Sequence, residues 1–180
     1  DDLEAILEAS EEAIELTKTA RDLSKTMLST EEDVEPVRLD SHLQAPIETA
    51  RSESDNTVVT VKGDVSDVYV RGNELLEAVF RNLIQNAVVH NDERAPTVHV
   101  STELDEETVT VAIADNGPGI PDDRKETVFG KGEKGLDSPG TGIGLYLVRT
   151  LVEQYGGDVW VEDNDPEGSV FYVELPRSGA

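Results

Sequence analysis

The 180-residue chain has no cysteine. That excludes a disulfide framework and a thiolate metal site, and it fits a reducing, cytoplasmic setting. No apolar run is long enough to span a bilayer, so no direct membrane contact is expected. The start, Asp1-Asp2, lacks the basic end of a secretory leader. Positive charge is scarce: 15 Lys plus Arg stand against 39 Asp plus Glu, a formal net charge of −24. Like charge repels, which excludes nucleic acid and anionic membrane as partners.

A high net charge is one signature of disorder, but the apolar periodicity along most of the chain argues for a packed core. A folded domain this acidic repels itself in dilute buffer. Salt at about 1 M shortens the Debye length to about 3 Å and removes most of that cost. The balance is similar to that of proteins from salt-loving, haloarchaeal-type organisms.

Residues 1–29 read as one helix, with Leu3, Ile6, Leu7, Ala13, Ile14, Ala20, Leu23, Met27 and Leu28 at spacings of three and four. Acidic residues crowd its start, where the helix dipole favours them. Its stripe needs another helix to bury it. Thr30 to Pro36 reads as an acidic hinge. Val37–Leu39 suits a short strand, and Asp40 or Ser41 suits the cap of a helix to about Arg51. Pro46 is expected to interrupt that helix unless it falls near the first turn. Strands are expected over Thr57–Val61 and Val65–Val70, then a long helix from Glu74 to His90 with Leu75, Leu76, Val79, Leu83 and Ala87 inward. Pro96–Leu104 and Thr108–Ala114 read as a hairpin. From Pro121 to Pro139 glycines and charges dominate, and a loop of that length inside a compact domain reads as a lid. Thr141–Tyr155 is a second long helix, stopped by Gly156-Gly157. Asp158–Glu162 and Ser169–Leu175 form a last hairpin. The fold class expected is α+β: a mixed sheet with helices on one face, preceded by a helix.

Three stretches carry chemistry. Asp115-Asn116-Gly117-Pro118-Gly119-Ile120-Pro121 follows a strand of alternating Val109, Val111 and Ile113, so Asp115 is drawn inside with that strand and needs donors. Gly117 and Gly119 free the backbone to turn or to lie against a ligand. Asn82 and Asn86 share one helix face. Gly140-Thr141-Gly142-Ile143-Gly144-Leu145 opens the next helix and aims backbone N–H groups at its N-terminus.

In this order and spacing, Asn82-Leu83-Ile84-Gln85-Asn86-Ala87, the Asp115 stretch and the Gly140 stretch resemble the N, G1 and G2 boxes of the histidine kinase ATP-binding domain. Val128-Phe129-Gly130 resembles its F box. The resemblance covers about Val37 to Pro176. It implies a Bergerat fold, a two-layer sandwich with three main helices on one face of the sheet. It assigns 1–30 to the second helix of a dimerisation and phosphotransfer hairpin, 31–36 to a hinge, and 37–177 to the catalytic domain. A private helix packed on its own domain is the other reading of 1–30.

The implied ligands are ATP and Mg²⁺. Asn86 would hold the metal against the triphosphate, Asn82 would line the same site, and Asp115 would accept the adenine amino group. Gly117, Gly119 and Ile120 would border the ring. Phe129 and the run Gly140, Thr141, Gly142, Ile143, Gly144 and Leu145 would complete the nucleotide site. Val89 and His90 replace the usual basic and aromatic pair after the N box; His90 could stack on adenine or simply end the helix. The usual F-box arginine is missing, leaving Lys131 or Lys134 as the cation at the γ-phosphate. Related chaperone and gyrase ATPases carry a Glu where Asn82 stands. An Asn cannot act as a base, which favours phosphoryl transfer over hydrolysis, with Glu77 as an alternative on the same helix. The expected partners are the chain's own hairpin in a homodimer and a response regulator. An ATP hydrolase, an anti-sigma-type serine kinase and a degenerate nucleotide-binding module remain alternatives. His42, His90 and His99 are the three histidines, and none resembles the phosphate acceptor.

Overall fold

The structure, a computed structural model, describes residues 2–29, 33–53, 55–130 and 142–179. It begins with α1 (Asp2–Leu28), a short strand β1 (Glu35–Arg38) and α2 (Leu39–Glu53). Then come β2 (Val58–Lys62), β3 (Tyr69–Gly72) and α3 (Leu76–Val89). The hairpin β4 (Thr97–Leu104) and β5 (Thr108–Asp115) leads to a single 3-10 turn at Asp122–Arg124. The chain ends with α4 (Gly144–Gln154), β6 (Asp158–Asp163) and β7 (Ser169–Ser178).

Seven strands form one mixed sheet in the order β1-β3-β7-β5-β4-β2, with β6 also on β7. Only β2 and β4 run parallel. Strand alternation puts Val98 and Val100, Val109, Val111 and Ile113, and Phe171, Val173 and Leu175 on one face. All are buried with Leu76, Val79, Phe80 and Leu83 of α3 and Leu147, Val148, Leu151 and Val152 of α4. This one cluster is the core between sheet and helices.

Several expected boundaries move, each for a local reason. Pro46 sits inside α2 and does not interrupt it. The lost backbone bond is offset by burial of Leu43, Pro46, Ile47 and Ala50 along one face. Strand β3 begins only at Tyr69, because Asp64 accepts the N–H of Ser66 at 2.8 Å and Asp67 takes a positive φ of 61°, a turn rather than a strand. Glu35 and Pro36 belong to β1, an edge strand, where a residue without an N–H is tolerated. Helix α3 starts at Leu76 because Asn73 accepts the N–H of Leu75 at 3.0 Å and holds a turn there. Helix α4 starts at Gly144, since Gly142 has φ +68° and cannot be helical.

Helix α1 has the expected period but docks by its polar side. Thr19, Asp22 and Thr26 are its buried residues, joined by partly buried Leu23. Asp22 pairs with Arg81 of α3 at 2.5 Å, Lys25 with Glu74 at 3.3 Å, and Ser29 exchanges hydrogen bonds with Gln154 at the end of α4. Leu3, Ile6, Leu7, Ile14, Met27 and Leu28 point away and are exposed.

Candidate functional site

Strand β5 ends on Asp115, opposite Val98 and on the helix side of the sheet. The residue is 8% exposed. One oxygen, Oδ1, accepts the N–H of Gly117 at 2.9 Å and of Ser169 at 3.3 Å. Oδ2 has no hydrogen-bond partner among the described residues. Burial pushes the carboxyl above its ordinary pKa, while the two N–H groups and neighbouring His90 pull it back. His90 is shifted the opposite way, down, chiefly by burial, with Asp115 opposing. A half-buried imidazole therefore sits beside a buried carboxylate whose second oxygen is free to meet an N–H.

The turn after Asp115 is tight. A Cβ on Gly117 would lie 3.1 Å from Asp115 Oδ1 and 3.3 Å from the carbonyl of His90. Gly119 takes φ +77°. Asn116 pins the turn: its side-chain oxygen accepts the amide of Asn91 at 2.7 Å and the N–H of Thr97 at 2.9 Å. Glycine at both positions keeps side chains from this edge of the turn.

The other end is built from α3 and α4. Asn82 donates its amide back to the carbonyl of Ala78 at 2.7 Å, and its oxygen lies against Gly144, where a Cβ would approach to 2.7 Å. The start of α4 thus touches the middle of α3. Ile143, the residue before α4, gives it no side-chain cap, and the positive dipole end of the helix favours an anion. Gly142, Ile143, Gly144 and Leu145 are half-exposed there. The side chain of Asn86, one turn before His90, is half-exposed and has no hydrogen-bond partner among the described residues. That amide oxygen fits a hard cation. No group of three or more His, Cys, Asp or Glu that could hold a metal occurs among the described residues. A Mg²⁺ here would rest on Asn86, ligand phosphates and water.

Glu77 does not reach this face. It lines the cleft between α1 and α3 with Asp22, Lys25, Glu74 and Arg81. Phe129 is buried and meets Phe171 edge-on at 6.0 Å, so its ring belongs to the core. It also borders a cavity of about 410 Å³ with Lys125, Arg149 and Trp160, which neither Asp115 nor Asn86 lines. Ile120 packs partly buried against the core. Lys131, Lys134, Gly140 and Thr141 lie outside the described residues.

Sequence reasoning missed one wall of the site, the β6–β7 turn. Besides the N–H of Ser169, Asn164 donates its amide to the carbonyl of Asp115 at 2.8 Å. Gly168 packs so closely that a Cβ would meet that carbonyl oxygen at 1.9 Å. The Asp-Pro-Glu-Gly run marks a turn but carries no sign that it faces Asp115.

The model of the histidine kinase-, DNA gyrase B- and HSP90-like ATPase family matches residues 72–179. The adaptive-response sensory kinase SasA of Synechocystis sp. is 31% identical over 136 residues, 71% of this chain and 34% of that protein. The chain therefore spans about a third of the length of this curated relative. A mycobacterial sensor histidine kinase, MprB, superposes with TM-score 0.72 at 25% identity, over 81% of this chain and 99% of that one. Full-length ShkA, solved with AMPPNP, covers 98% of this chain with TM-score 0.75 at 22% identity, over 38% of its own length, a likeness of fold.

Proposed function

We infer the function from one fact as premise: this chain belongs to the histidine kinase-, DNA gyrase B- and HSP90-like ATPase family. It is the ATP-binding catalytic part of a sensor histidine kinase. The observation that carries the nucleotide reading is Asp115, with one carboxylate oxygen held by two N–H groups and the other, among the described residues, without a partner beside a glycine turn. Oδ2 accepts the exocyclic amine of adenine. Guanine presents a carbonyl at that position and is repelled. Gly117 and Gly119 leave room for the ring, and His90 borders it. The triphosphate runs toward the start of α4, whose positive dipole end and backbone N–H groups favour it. Asn86 holds Mg²⁺, which when bound neutralises charge on the phosphates.

The chain's own part in the reaction is positioning. Asn82 spaces α4 from α3 and cannot take a proton, and Glu77 faces α1. The absence of a carboxylate on this face of α3 supports transfer to a protein over hydrolysis of ATP. The acceptor is a histidine outside this fragment. His42 Nδ1 bonds the carbonyl of Arg38 at 2.8 Å, His99 pairs with Thr60 on the open sheet face, and His90 sits beside Asp115.

Helix α1 is the second helix of the dimerisation and phosphotransfer hairpin. Its exposed apolar side, opposite the docked one, supports this reading, since Ile6, Leu7, Ile14 and Met27 stand in solvent there. A homodimer and a response regulator follow for the whole protein. No described helix is long and apolar enough to cross a membrane.

Titration with ATP and GTP, with and without Mg²⁺, tests the site: ATP should bind, GTP should not, and Mg²⁺ should tighten ATP. Incubation with γ-labelled ATP should leave no acid-labile label on the chain, and adding a helical hairpin in trans should give weak transfer. Label on His42, or steady phosphate release without an acceptor, would overturn the kinase assignment.

A further inference from the structure

We propose that Asn164, in the β6–β7 turn, is a positioning residue for nucleobase recognition. It acts through the backbone of Asp115, and the proposal rests on the reading that Asp115 accepts the base. The sheet ladder runs out just here. Strand β5 pairs with β7 up to Ala114 and Val170. One step further, Ser169 gives its N–H to the carboxylate of Asp115. The main-chain carbonyl of Asp115 is thereby left without the strand partner it would otherwise have.

Asn164 supplies the missing donor. Its side-chain amide reaches that carbonyl at 2.8 Å. Its own turn is closed around it: its N–H bonds the carbonyl of Gly168 at 3.0 Å, and its side-chain oxygen accepts the N–H of Asp165 at 3.0 Å. The amide is therefore held at both ends, with oxygen inside the turn and nitrogen on Asp115. Gly168 packs against the same carbonyl, leaving no room there for a Cβ.

Two consequences follow. A carbonyl buried without a donor is costly, so without Asn164 the end of β5 would rotate to find one. Rotation of that peptide moves Cα and the carboxylate of Asp115 together. The free oxygen would then leave the place where it meets the base, although no ligand atom touches Asn164. Among the described residues the α3–α4 end shares no hydrogen bond with this turn, so phosphate binding should not follow.

The test uses the full chain with two probes, adenosine and inorganic triphosphate with Mg²⁺. Asn164→Asp keeps the shape and removes the donor. It should weaken adenosine about five-fold or more, the scale of one lost hydrogen bond, and leave triphosphate within two-fold (roughly) of the parent. Asn164→Ala should behave alike, and melting curves of both variants confirm that they remain folded. If either variant unfolds, the folded one decides. Unchanged adenosine affinity, or equal loss for both probes, overturns the proposal. Asp115→Ala, measured beside them, separates this failure from that of the premise. If it too leaves adenosine binding unchanged, Asp115 does not read the base at all.

Discussion

The two ends of the site are finished to different degrees. At the strand end almost every polar group already has a partner: the carboxylate of Asp115 holds two N–H groups, its carbonyl holds Asn164, and the side chain of Asn116 holds two donors. At the helix end groups are left open: Asn86 bonds nothing described and Ile143 gives the start of α4 no side-chain cap. The difference matches the two chemistries. A flat, weakly hydrated base is recognised by groups fixed and desolvated when the protein folds, so little ordering remains to be done on binding. A triphosphate arrives heavily hydrated and exchanges water for open N–H groups and a metal, which suits half-exposed donors.

That contrast can be broken by mutation. The largest effect is expected at Asp115→Ala, which removes an acceptor from the base. ATP and adenosine should both weaken by about ten- to a hundred-fold, or about 1.5–3 kcal/mol, with inorganic triphosphate untouched. Calorimetry with all three ligands measures this. A matching loss for triphosphate would mean that the ends are one unit.

Next is Asn86→Ala. The Mg²⁺-dependent part of ATP affinity should fall about ten-fold, roughly 1.4 kcal/mol, while adenosine binding stays as it was. Equal losses would point to disturbed packing of α3.

The smallest effect concerns stability without ligand. Burial raises the carboxyl of Asp115 above its unfolded value. The native state therefore holds that proton more tightly, and the stability this gives is fully present below the unfolded pKa of about 3.9. It is lost as pH rises through the raised native value. Asp115→Asn abolishes this titration. In urea melts its stability relative to the parent should improve as pH rises from about 3 to neutrality, while ATP binding weakens as in Asp115→Ala because an amide N–H faces the amine. His90 runs the other way. Its lowered native value gives stability present above about 6.5, lost as pH falls through the native value. Removing the carboxylate also removes the charge that opposes this shift, so His90 adds in the same direction near neutrality and the Asp115 part is read below about pH 5.5. A difference independent of pH would show that the carboxylate is not desolvated.

Much of this was legible in the chain. Helix α3, the β4–β5 hairpin and the end of β5 follow from periods of 3.6 and 2, which survive in a single sequence. Asp115 could be placed because it directly follows its strand. The β6–β7 turn could not be found this way: Asn164 and Ser169 meet Asp115 across separations of 49 and 54 residues, and only the sheet pairing brings them there. Pro46 shows the limit of a local rule, since packing against the core outweighs one missing bond. Helix α1 shows another. Its apolar period was plain, but the hidden side proved to be the side carrying Thr19, Asp22 and Thr26, which no hydrophobic pattern selects. Glu77 shares a helix with Asn82 yet lines the cleft toward α1.

The polar dock of α1 gives the molecule two opposed responses to its medium. Ions at high concentration quiet the mutual repulsion of 39 acidic side chains and so tighten the fold. The same ions weaken the exposed pair Lys25–Glu74, whose side chains are 51% and 77% exposed, far more than Arg81–Asp22, where Asp22 is 6% exposed. A saltier surrounding therefore makes the catalytic body more rigid while easing the outer of its two charged grips on the helix. The contact then leans on the less exposed pair, with the Ser29–Gln154 hydrogen bonds and the packing of Leu23 beside it, like a door that has lost the outermost of its hinges.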